Sequence, residues 1–238
     1  MKRQERKNLK SDKFAEEFGH GFEFITEHKA ESIRYGSIAL ALILIAVGTF
    51  YYRRHEATAR EQALAAALHI DNATVANASP PPGTLNFTTQ AEKDKAREKA
   101  FSDLEAKYPG TQEGAMAGMY LASDAVDQGD MAAAEKRFKM VMDNAPKAYA
   151  SKAKLALAQV YAGEGKTADA EKLLRDLIAH PTITVSKDEA TIQLALVTAQ
   201  TNRTEAVKML TPLQNSRTAV SRATVQALGQ ISQLAPNK

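Results

Sequence analysis

The chain has 238 residues, 44% of them apolar and 25% charged, a balance that excludes a disordered polymer and leaves room for one or two globular domains. A formal charge of only +3 excludes the broad basic field that nucleic-acid binding uses, so no nucleic-acid partner is expected. The absence of cysteine excludes disulfides, thiolate metal centres and a cysteine nucleophile.

In chain order, residues 1–35 read as a basic tail in which Lys2, Arg3, Arg6, Lys7, Lys10 and Lys13 cluster early. Ser11 or Asp12 can cap a helix beyond them. Phe14, Phe18, Phe22 and Ile25 then fall at spacings of four, four and three, which is one helical face, with Lys13, Glu16, Glu23 and Glu27 opposite. That face suits an interfacial helix that docks on a membrane or a partner; it equally suits a short solvated helix that does neither.

Residues 36–52 (GSIALALILIAVGTFYY) carry no charge. As a helix they cover about 25 Å, the short end of what crosses a bilayer core of about 30 Å. Arg34 can extend the run by carrying its guanidinium back to the headgroups. Tyr35 on one side and Tyr51 and Tyr52 on the other stand where an aromatic belt would be, and Arg53 and Arg54 end the stretch. A cleaved signal peptide fits poorly, because the apolar run starts late and Phe50-Tyr51-Tyr52-Arg53-Arg54 lacks small residues. A single transmembrane helix is the expectation. The basic residues of the short tail favour a cytoplasmic N-terminus, with the larger C-terminal part outside the cytoplasm.

Residues 53–71 continue as a juxtamembrane helix with modest apolar content at Ala63, Leu64, Ala67 and Leu68. Residues 72–88 change character: small polar residues surround Pro80-Pro81-Pro82-Gly83, and consecutive prolines favour a stiff extended linker. Residues 89–238 are Ala-rich and poor in β-branched residues, which predicts a nearly all-helical domain. Capping boxes mark helix starts at Thr89…Glu92, Ser186…Glu189 and Asn202…Glu205.

Two segments of this domain superimpose at a spacing of about 36 residues. The first holds Leu121, Ala122, Gly129, Ala134, Phe138, Val141 and Pro146; the second holds Leu157, Ala158, Tyr161, Gly165, Ala170, Leu174 and Leu177, closing near Pro181. The pattern resembles the tetratricopeptide repeat, a helix–turn–helix of about 34 residues. The resemblance puts Ala122/Ala158 and Ala134/Ala170 where two helices of a hairpin touch, and Phe138 and Leu174 in the wedge with the next repeat. It extends from Ala91 to Leu234. A lone second helix bearing Phe101, Leu104 and Pro109 comes first. A degenerate third unit follows with Leu194, Ala195, Ala206, Leu210, Pro212 and Leu213, and then an end-covering helix from Ala219 to Leu234. The implied fold class is all-α: one transmembrane helix followed by a tetratricopeptide-like, right-handed α-solenoid.

Chemistry-bearing patterns are weak. Gly165-Lys166-Thr167 has Val160 where a phosphate loop needs glycine, and a helix rather than a strand feeds it, so an inter-helix turn is expected. His20, His28, His55, His69 and His180 lack metal-ligand spacing. Asp124, Asp127 and Asp130 read as a solvated face, and no serine has a nucleophile-elbow setting. No catalytic residue, cofactor site or metal site is expected, and the chain is read as a non-enzyme.

The resemblance implies a protein-binding groove lined by the first helix of each repeat: Met116, Met119, Ser123 and Val126 in one unit, and Lys152, Leu155, Gln159 and Ala162 in the next. The basic tail, single anchor, Lys107-Tyr-Pro-Gly-Thr111 sequence and Ala-rich repeats together resemble the YfgM-like family of bacterial inner-membrane proteins. That resemblance implies a periplasmic domain and an adaptor role beside the protein-translocation channel or a periplasmic chaperone. Two other functions fit the layout: a scaffold for envelope assembly, in cell division or cytochrome maturation, and a ligand binder or enzyme without a recognisable motif.

Overall fold

The computed structural model describes residues 29–76, 85–214 and 219–234. The apolar face of the tail (Phe14, Phe18, Phe22, Ile25) and the proline run of the linker lie outside the described residues. The chain divides into two compact units, Met1–Thr58 and Ala59–Lys238.

Helix α1, Lys29–Asp71, joins the expected apolar and juxtamembrane segments without a break. Over residues 36–52 its side chains carry no charge, and Ile38, Leu40, Leu42, Ile43, Leu44, Ile45 and Phe50 are all exposed. Among the described residues it is the one helix long and apolar enough to cross a membrane, a test that a signal sequence also passes. The hydroxyls of Ser37 and Thr49 do not stay open. They donate to the carbonyls of Arg34 (2.9 Å) and Ile45 (2.7 Å), which removes free donors from an apolar surface.

The second unit opens with the end of α1. Beyond it come a two-residue parallel pairing of β1 (Thr74–Val75) with β2 (Asn86–Phe87), then α2 (Gln90–Lys107) and α3 (Gln112–Asp127). The strand pair has no counterpart in the sequence pattern. It is held partly by the Asn86 side-chain amide, which receives the Ala76 N–H (3.1 Å) and donates to the Ala76 carbonyl (2.7 Å). Ala67 of α1 is buried with Phe101 and Leu104 of α2 and with Ala117 and Leu121 of α3. The Phe101 ring lies flat on Tyr120, with centroids 4.7 Å apart. The segment 59–71 therefore contributes side chains to the apolar cluster that α2 and α3 share.

Ion pairs reinforce this block. Arg97 of α2 bridges Asp71 at the end of α1 (3.1 Å) and Asp124 of α3, while its Nε is buried without a hydrogen-bond partner among the described residues. Arg60 meets Glu113 at 3.2 Å; Glu113 is only 5% exposed and sits in the first turn of α3, where the helix dipole also favours a carboxylate. Asp124 departs from the solvated face expected for it. Its partner is distant in sequence, and burial pushes its carboxyl above the usual range against the pull of Arg97.

Two hairpins follow, α3 with α4 (Met131–Asn144) and α5 (Lys147–Gly163) with α6 (Thr167–Ala179). Ala122, Ala134, Ala158 and Ala170 are fully buried where the helices of each hairpin meet, and Phe138 and Leu174 fill the space between hairpins. The two turns are the same device. Gly129 (φ 79°) lets Asp130 N–H reach the Ala125 carbonyl and its own N–H reach Val126; Gly165 (φ 76°) does likewise with Lys166 to Tyr161 and itself to Ala162. This double closure satisfies the last helical carbonyls and requires a left-handed residue, which glycine supplies without steric cost. Gly165-Lys166-Thr167 is thus a helix-ending turn.

The stack finishes with α7 (Lys187–Thr198), α8 (Arg203–Leu210), a 3-10 turn (Thr211–Leu213) and α9 (Ala219–Gln233). Thr89, Ser186 and Asn202 each cap the helix they were expected to start, accepting the N–H of Glu92, Glu189 and Glu205. Pro212 has no N–H to continue α8, which stops at Leu210 and tightens into the 3-10 turn. Ala227 and Ile231 of α9 cover Ile192, Ala195, Ala206 and Leu210, so α9 closes the apolar end of the stack. The Arg203 guanidinium donates to the carbonyls of Ser232 (3.0 Å) and Leu234 (3.3 Å), satisfying the end of α9.

Candidate protein-binding groove

Helices α3 and α5 occupy equivalent positions in successive hairpins, so Met116, Met119, Ser123 and Val126 stand beside Lys152, Leu155, Gln159 and Ala162 in matching order. The caps that hold them differ. The Thr111 hydroxyl accepts the Gly114 N–H at 3.1 Å at the start of α3. The start of α5 is pinned instead by hydroxyls: Ser151 lies 2.7 Å from Thr182, and Thr184 donates to the Ala148 carbonyl at 2.6 Å.

Two adjoining hollows open along these helices. One, about 300 Å3, is lined by Met116, Met119, Tyr120, Ser123, Tyr149 and Lys152. The other, about 530 Å3, has Ser123, Val126, Asp127, Gln159 and Glu164 among its walls and Phe138 in its floor. Ser123 belongs to both. Six of the eight expected groove residues therefore line open space. Leu155 and Ala162 line neither hollow and rest against the buried core.

Tyr120, Tyr149 and Glu164 were not singled out in the sequence, and Asp127 was read there as part of a solvated face rather than as a groove residue. Asp127 carried a signal, being the next residue on the open face of α3 after Val126. The tyrosines carried none, since an aromatic on an Ala-rich helix reads equally as core.

Several charges at and near the groove are paired: Lys166 meets Glu164 at 3.1 Å, Tyr161 donates to Glu135 at 3.0 Å, and Lys154 pairs with Asp176. Hydrogen bonds from Lys139, then from Tyr161, hold the Glu135 carboxyl down at about 2. Within the groove, the side chains of Lys152, Asp127, Ser123 and Gln159 have no hydrogen-bond or ion-pair partner among the described residues. Solvent-exposed polar side chains beside apolar hollows are available to an incoming chain. Among the described residues, no group of three or more histidine and carboxylate side chains could hold a metal ion.

Helical hairpins stacked through small residues form a helical-repeat fold, and the tetratricopeptide-like character of that fold suggests a protein-interaction scaffold. Residues 32–148, just under half of the chain, match the model of a tetratricopeptide repeat-like domain, which supports a tetratricopeptide-repeat family. The match takes in the apolar part of α1, the α2 block and the first hairpin. No curated protein and no solved structure matches the chain significantly.

Proposed function

We propose that this protein is a membrane-anchored adaptor of the bacterial envelope that binds other proteins through the α3/α5 groove, in the service of protein translocation or periplasmic chaperone delivery. The observation that carries the binding function is the groove itself, where apolar hollows adjoin Lys152, Asp127, Ser123 and Gln159 without internal partners. The anchor is residues 36–52, whose uncharged surface in α1 has no covering core. Residues 1–35 form the cytoplasmic tail, 53–71 carry the helix out of the bilayer, and 72–88 link to the repeat domain in the periplasm. The YfgM-like resemblance supports the translocation setting.

A photo-crosslinking residue in place of Met119, in the full-length protein in native membranes, tests the reading. Adducts with translocation-channel subunits or a periplasmic chaperone are expected. Adducts confined to division or cytochrome-assembly proteins would move the adaptor to envelope assembly, and absence of any protein adduct would sink the groove. Protease treatment of spheroplasts should digest residues 89–238 before lysis; protection until lysis would reverse the topology.

A further inference from the structure

The groove's free charges describe its occupant more closely, on the premise that the groove binds protein. Lys152 stands over the hollow lined by Met116, Met119 and Tyr149, while Asp127 stands at the far end of the hollow lined by Val126 and Phe138. Neither charge has an ion-pair partner among the described residues, although both helices carry paired charges elsewhere, Asp124 with Arg97 and Lys154 with Asp176. Lys152 is the counterpart of Met116, so its axial offset from Asp127 is that of Met116 from Asp127, about 16 Å at helical rise. An extended chain covers that distance in about five residues.

We infer that the groove selects an extended polypeptide segment with an acidic and a basic residue about five positions apart and apolar side chains between them. The acid pairs with Lys152 and the base with Asp127. The intervening apolar side chains enter the two hollows, which have room for a leucine-sized and an aromatic group. The side chains of Ser123, shared by the two hollows, and Gln159, in the wall of the larger one, have no internal hydrogen bond among the described residues and offer donors and acceptors to the segment's backbone. An extended chain exposes N–H and C=O groups that need such partners once water is displaced. A uniformly acidic or basic segment leaves one like-charge contact, and a purely apolar one leaves both groove charges without a partner.

The test uses the full-length protein in detergent micelles or nanodiscs and fluorescent heptapeptides that share a Leu/Phe centre. Their two flanking positions, five apart, are acid and base, both acid, both base, or both neutral amide. Binding by anisotropy should favour the acid/base peptide by about two- to fivefold for each mismatched charge, a preference that shrinks with added salt. The Lys152→Glu variant should shift the preference to the both-base peptide and Asp127→Lys to the both-acid peptide. These positions are exposed, and circular dichroism verifies that the variants keep their helix content. Equal binding of all four peptides would overturn the charge inference while leaving the groove a protein-binding surface. Binding of none would overturn the extended-segment occupant, and the Met119 crosslink would then decide separately whether the groove engages protein at all.

Discussion

The two ends of the repeat stack are closed by different physics. At the leading end, the segment 59–71 of α1, α2 and α3 combine an apolar cluster around Phe101 with partly buried ion pairs, Arg60 to Glu113 and Arg97 to Asp71 and Asp124. At the trailing end, α7, the short α8 and α9 rely on Leu210, Ile231 and small residues, with Arg203 capping the last carbonyls. Buried ion pairs add little net stability over an apolar substitute, yet removing one partner is costly because the other charge stays behind. The leading end is therefore the more specific closure, fixing which helix covers the stack, and the trailing end is a generic apolar lid.

Truncation of each cluster gives the largest effects. Phe101→Ala should cost about 4 kcal/mol and Leu210→Ala about 3 kcal/mol, read by denaturant unfolding of the full chain. Hydrogen exchange should localise the loss, with α1, α2 and α3 opening in the first variant and α8 and α9 in the second. A uniform loss of protection in both would mean that the stack unfolds as one unit and that the two ends are not separate closures.

Arg97→Met comes next, at about 2 to 3 kcal/mol, because Asp71 and Asp124 are left partly buried without their cation. Adding Asp124→Asn to that variant should recover part of the loss, since an amide is cheaper to bury than an unpaired carboxylate. If Arg97→Met is neutral by itself, the clamp contributes nothing and both ends are closed by apolar packing alone.

Acid should separate regions by sign. The Glu135 carboxyl, held at about 2 by Lys139 and Tyr161 against an ordinary 4.5, contributes stability that is present above about pH 4.5 and lost as pH falls towards 2. Asp176, held below its usual value by Lys154, acts in the same direction. Asp124 and Glu105 are raised by burial, against Arg97 and Arg137, so their protonation on acidification favours the folded state. The destabilisation caused by Glu135→Gln should therefore be full near about pH 6 and vanish as pH approaches about 2, whereas Asp124→Asn should remove a contribution that grows as pH falls. Thermal midpoints across pH check both slopes; parallel slopes would contradict the contrast.

The smallest effect is expected at the turns. Gly165→Ala places a β-carbon at φ 76° with no steric neighbour nearby, so only the backbone penalty of about 1 kcal/mol remains. Gly118→Ala meets Glu105 Oε1 at 2.6 Å and Val141 at 2.7 Å, so it should perturb the Glu105–Arg137 pair at the start of the stack as well. Comparable losses in both variants, measured by chemical unfolding, would mean that Glu105 moves aside freely.

Local rules made much of the fold legible. Thr89, Ser186 and Asn202 announced their helices because an N-cap is a contact across three residues, and Gly129 and Gly165 announced their turns because only a left-handed residue closes them. The repeat spacing also picked out six residues that line open hollows. Asp124, Asp127 and Asp130 looked alike in the sequence, yet one pairs with Arg97, one borders a hollow and one caps α4 through the Ala133 N–H at 2.9 Å.

By itself, then, the sequence determined the helices, their caps and turns, the hairpin core and one long apolar helix, because each depends on residues within about a turn of one another or on a repeated spacing. Only the tertiary structure decided that residues 59–71 join the apolar cluster of α2 and α3, that Arg60 finds Glu113 and Arg97 finds Asp124, and that Leu155 and Ala162 lie closed while Tyr120 and Tyr149 border open space. Those outcomes depend on how far neighbouring helices separate and on pairings distant along the chain. No local period encodes them.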